Sequence, residues 1–167
     1  RAISSVIRGF DFDFSIDLNK NFKLRSSSSW IEGFEKNNKT PLINIPPFST
    51  NNYLKISIPK WKSFLFTISS KNIFSQNQYP NHNFETSVVE NGKRINKVVD
   101  ISSPPDAYNL LGMEFHWGPY SFFSDKARIS LIFDNILDKN YRNYLNRLRF
   151  YADEIGRNVM LQIKINH

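Results

Sequence analysis

Residues 9–19 read GFDFDFSIDLN, and their alternation sets the fold class. Phe10, Phe12, Phe14, Ile16 and Leu18 fall on one parity, and Asp11, Asp13, Ser15 and Asp17 on the other. Successive side chains of an extended strand point to opposite faces, so this stretch is a strand with one apolar and one charged face. The last residues repeat the pattern. After Gly156, Val159, Leu161, Ile163 and Ile165 alternate with Met160, Gln162, Lys164 and Asn166. Five more alternating stretches lie between, at 22–33, 53–61, 63–74, 108–118 and 126–135. The chain therefore reads as all-β and antiparallel, with about seven strands.

The connections alternate in length. Those at 19–21 and 60–62 are short, and 118–125 is short to medium, whereas 35–48, 76–105 and 136–155 are long. Pro46 and Pro47 mark the first long connection, because proline cannot donate to a ladder. The stretch 76–105 reads as irregular, and a loop of that length is functional or mobile. In the last connection Leu137, Tyr141, Tyr144, Leu145, Leu148, Ala152 and Ile155 recur at helical spacing, with Gly156 past the end. Helix and loop compete there; the expectation is a loop with one or two helical turns.

Composition narrows the classes. The 167 residues suit one domain, and 15 Phe, 7 Tyr and 3 Trp favour strands over bundles. The net charge is +7, but the basic residues are scattered, so nucleic acid is not expected as a partner. No Cys is present, which removes disulfides and thiolate metal sites. No apolar run is long enough for a membrane helix, and no signal peptide is visible. The chain begins without Met and reads as part of something longer.

A soluble sandwich and a membrane barrel both produce this alternation. Loop length separates them, since outer-membrane barrels pair short periplasmic turns with longer extracellular loops. Trp30, Trp61, Trp117 and Tyr120 are expected near strand ends, where aromatics form interfacial girdles.

Four segments carry a family resemblance: NIPPF at 44–48, SSPPDAYNLLG at 102–112, FDNILDKNYRNYLNRLRFYADEIGRN at 133–158, and the terminal strand. Together they resemble the C-terminal end of a TonB-dependent outer-membrane receptor of Bacteroidota type. NILDKNYRNYL is the most specific piece, with Ile136 and Leu137 standing where the family has Leu-Phe. The resemblance implies that residues 1–167 are the last third of a 22-stranded transmembrane barrel. The plug and the remaining strands would not be in this chain. It further implies the bacterial outer membrane, a periplasmic C-terminus, and import of a scarce nutrient such as a metal chelate. The partners implied are outer-membrane lipid, the rest of the barrel, the plug, TonB through the N-terminal part, and a small-molecule substrate. The family ends on an aromatic residue, and His167 departs from that.

No catalytic residue, cofactor or metal site is expected. The pairs Asp11/Asp13 and Asp153/Glu154 lack converging partners for acid–base work, and no two histidines have ligand spacing. His116 reads as a lumen or interface residue. The candidate substrate contacts are His82, Tyr79, Arg147 and Arg149, all in long loops. Arg142, Arg147, Arg149 and Arg157 with Asp138, Asp153 and Glu154 read foremost as paired charges ordering the last loop. The alternative functions are a soluble all-β carbohydrate- or ligand-binding sandwich and a complete small barrel. An odd strand count opposes the latter.

Overall fold

The computed structural model describes residues 4–61, 64–100, 102–122 and 125–166. Its strands are β1 (Ser5–Asp17), β2 (Phe22–Glu35), β3 (Ser49–Ile58), β4 (Phe64–Ile73), β5 (Phe84–Glu90), β6 (Lys93–Val99), β7 (Tyr108–Phe122), β8 (Asp125–Asp134) and β9 (Asn158–Asn166). Seven of them form one sheet in the order β1-β2-β3-β4-β7-β8-β9. Every neighbouring pair is antiparallel. The seven alternating stretches are these seven strands, so the expected number and order hold.

The register lines up the two faces across the whole sheet. Ile16 pairs with Leu24, Leu24 with Leu54, Leu54 with Ile68, Ile68 with Met113, Met113 with Phe133, and Phe133 with Val159. A second row runs from Phe22 through Ile56, Phe66, Phe115 and Leu131 to Leu161. A one-residue slip anywhere would turn a strand's apolar set to the other face, so continuity through six pairings fixes the register. These rows form a belt rather than a whole apolar face. On the same side, toward the long-loop end, Ser26 bonds Asn52 at 2.7 Å and Asn72 bonds Thr50 at 3.0 Å.

The opposite face is polar. Arg25 pairs with Asp13 at 2.8 Å and Lys23 with Asp17 at 3.4 Å. His116 bridges Ser130 at 2.7 Å and Glu114 at 3.1 Å, so the expectation that it lies on the polar side holds. A groove of about 420 Å³ lined by Arg25, Tyr53, Lys55, Thr67 and His116 spans β2, β3, β4 and β7. The sheet thus curls with its polar side inward.

No described element covers the belt. Phe12 is 57% and Leu161 65% exposed, and among the described residues no large side chain is fully buried. A soluble sandwich needs a second sheet against the apolar face. No described strand supplies one: the remaining pair, β5 and β6, forms a separate two-stranded sheet. The sandwich alternative therefore fails on layer count.

Several local expectations are corrected. The stretch 76–105 is not irregular throughout, because it holds the β5–β6 hairpin. Asn91 and Gly92 make its tight turn with φ of 52° and 75°, the left-handed pair that a two-residue hairpin turn demands. The connection expected at 118–125 is mostly strand. β7 continues to Phe122 through a register shift between Trp117 and Tyr120, and residues 123–124 lie outside the described set. β1 starts at Ser5, before the first strictly alternating residue, because Val6 and Arg8 still pair with Phe34 and Glu32. The stretch 136–155 is, as expected, a loop with short turns, made by bonds from Asn146 to Asn143, Arg149 to Asn146, Tyr151 to Leu148 and Ala152 to Leu148. Trp30 and Trp117 sit inside strands that outrun them, and Trp61 closes a 3-10 turn at Pro59–Trp61. Lys62, the side chain of Tyr120 and His167 lie outside the described residues.

Candidate functional site

The three long connections gather at one end of the sheet. The last of them is built on the segment FDNILDKNY. Asn135 adopts φ 49° directly after β8 and is only 5% exposed. Its side-chain amide donates to the Lys139 carbonyl and accepts from the Lys139 N–H, both at 2.9 Å. Asparagine tolerates the left-handed region and supplies both a donor and an acceptor, which accounts for this residue at this position. Asp138, at φ 53°, accepts from the Arg157 backbone N–H at 2.8 Å and so ties the loop's start to the approach of β9.

This clamp gives the first prediction. Asn135→Ala leaves both Lys139 groups unpartnered, at a cost of about 1–3 kcal/mol. Amide exchange at Lys139 in the full-length protein should accelerate by about one to two orders of magnitude, since each 1.4 kcal/mol is tenfold. Unchanged exchange would show that the clamp does not hold the loop.

The loop then folds toward the polar side. Tyr141 packs on Tyr108 with ring centroids 4.6 Å apart. Burial pushes the Tyr141 hydroxyl pKa up, and Glu154 and Asp134 push it further in the same direction. Arg142 pairs with Asp153 at 2.6 Å, and Asn146 bonds Glu154 at 2.6 Å. The expected network of paired charges is therefore partly present. Arg157 meets Asp138 through its backbone N–H, and Arg149 forms no ion pair among the described residues.

Arg149 instead stacks on two rings. Its guanidinium carbon lies 4.6 Å from the Tyr144 ring centroid and 4.5 Å from that of Phe150. One terminal nitrogen donates to the Tyr144 carbonyl, while Nε is buried without an acceptor. Tyr144 itself is 5% exposed, one of the few well-buried side chains of the protein.

The middle loop meets this pair. The His82 N–H donates to Ser102 Oγ at 2.6 Å, closing the base of the hairpin. The Asp100 carboxylate accepts from the Ser102 and Ser103 N–H groups at 3.1 and 2.9 Å. Hydrogen bonds from the Ser103 hydroxyl and backbone hold its pKa below the usual carboxylate value. A pocket of about 300 Å³ results, with His82 and Ser102 on one side, Tyr144, Arg147, Arg149 and Phe150 on the other, and Ile43 from the first long loop.

Three of the four candidate contacts, His82, Arg147 and Arg149, thus share one pocket, although they come from distant parts of the chain. Tyr79 is half-buried and does not line it. Sequence reading missed Tyr144 and Phe150 as lining; Tyr144 had been counted in a helical stripe that does not form. Among the described residues no three His, Asp or Glu side chains are placed to hold a metal ion.

No family model matches the chain. No curated protein matches it either. Among solved structures, the chain is similar to the copper transporter OprC, with a TM-score of 0.72 and 16% identity. The match covers 96% of this chain and 23% of that one. With the exposed belt and the inward polar face, this decides the fold class. The chain is a segment of a transmembrane β-barrel. It spans about a quarter of the length of the solved structure it matches.

Proposed function

We propose that the chain is the C-terminal wall of a TonB-dependent outer-membrane receptor that imports a scarce nutrient such as a metal chelate. The apolar belt across all seven strands is the observation that carries this reading. Its rows face lipid, and the ion-paired face lines a lumen occupied by a plug. Trp30 and Trp61, on opposite sides of the belt along the strands, suit the two interfaces. The long loops face the cell exterior and the C-terminus the periplasm. His82, Arg147 and Arg149 then stand where a small-molecule substrate arrives, with Tyr79 nearby in the same loop as His82. TonB engages a part of the receptor N-terminal to this chain. The fold likeness to a copper transporter supports transport as the activity class and leaves the substrate open.

The test is cell fractionation followed by uptake. The full-length protein should sediment with the outer membrane. Its deletion should abolish growth on one limiting nutrient, and loss of TonB should do the same. Recovery in the soluble fraction, or uptake indifferent to TonB, would overturn the proposal.

A further inference from the structure

The loop pocket is cationic and carries no acid. Arg147 is exposed and has no ion-pair partner among the described residues. Arg149 presents a buried Nε–H with no acceptor. Asp100 lines an adjoining pocket with Arg149, and its Oδ1 accepts from the Ser102 and Ser103 N–H groups. Two guanidinium groups without carboxylates repel a cationic ligand and complement an anion, which arginine binds through paired N–H groups. The remaining lining is apolar and partly aromatic: Ile43, Pro80, Tyr144 and Phe150. Of these, Ile43 and Phe150 are exposed and offer surface to a flat ring. The volume, about 300 Å³, is at the small end of the roughly 300–1,000 Å³ typical of small-molecule sites.

We infer that this pocket binds a small organic anion in which a carboxylate adjoins a flat apolar ring. Arg147 holds the carboxylate, with Arg149 adding positive charge beside it, and the exposed parts of Ile43 and Phe150 border the ring. This rests on the transport reading, to which it adds the chemical class of what the long-loop end captures. A neutral sugar would gain nothing from the two arginines, and a bare metal cation would meet no carboxylate.

The experiment uses the full-length protein purified in detergent, with radiolabelled benzoate and its neutral counterpart benzamide in equilibrium dialysis. Benzoate should bind about tenfold more tightly than benzamide, a difference of about 1.4 kcal/mol. Arg147→Gln should erase most of that preference while leaving benzamide unchanged. Because Arg149 also bonds the Tyr144 carbonyl, Arg149→Lys tests the fork geometry, and Arg147→Gln keeps the test independent of loop folding. Equal binding of the two probes by the wild-type protein, or an Arg147→Gln variant that keeps the full preference, would overturn the inference. An outer-membrane protein with TonB-dependent uptake and no benzoate preference would refute the ligand class alone.

Discussion

Expressed alone and refolded into water, residues 1–167 should aggregate rather than give a monodisperse monomer. Two causes act together. The belt leaves Phe10, Phe12, Leu161 and Ile163 each more than half exposed, far beyond the scattered single hydrophobics of a normal surface. The sheet also ends on two unpaired strands, β1 and β9, each long and without proline. Transfer to lipid hides the belt but not the edges, because an unpaired backbone group in hydrocarbon costs several kcal/mol. Detergent alone should therefore give heterogeneous oligomers, and co-refolding with the further strands that the receptor proposal implies should give a single species. Sedimentation velocity after dilution from urea distinguishes these states. A soluble, cooperatively unfolding monomer would contradict the barrel assignment.

The second large effect is all-or-none labelling of engineered cysteines in intact cells. The sequence has no native Cys, so the background within this segment is zero. Ser87 lies in β5 and Asn91 at the hairpin turn between β5 and β6, on the long connection from β4 to β7. Asn21 lies in the short turn between β1 and β2, where Leu18 donates to the Phe22 carbonyl at 2.9 Å. Antiparallel neighbours reverse direction at each connection, so these positions fall on opposite sides of the membrane. With a periplasmic C-terminus, Ser87→Cys and Asn91→Cys should react with a membrane-impermeant thiol reagent. Asn21→Cys should react only after the outer membrane is opened. The opposite pattern would invert the topology. The hairpin strengthens the choice of sites, since residues 87 and 91 lie on a two-stranded projection rather than in a collapsed loop.

The alternation of Phe10–Leu18 against Asp11–Asp17 was enough to place β1, and the same period placed the other six sheet strands, because strand parity is local geometry. Parity cannot count layers. Whether Phe12 and Leu161 meet a second sheet or lipid depends on what packs across the belt, which only the seven-stranded topology decided. The β5–β6 hairpin was legible in principle, since Asn91-Gly92 is a strong turn signal. Its flanks alternate weakly and are charged on both sides, and so read as loop. The helical spacing of Leu137 to Ile155 does not extend into a helix, in keeping with the expected loop, for a different reason. The Asn135 and Asp138 clamps fix the backbone in left-handed turns at the segment's start, and tertiary bonds override a periodic pattern. The sequence by itself determined the faces of the strands and which of their connections are long. Only the tertiary structure brought His82 beside Arg147 and Arg149, because the connections from β4 to β7 and from β8 to β9 converge above strands adjacent in the sheet.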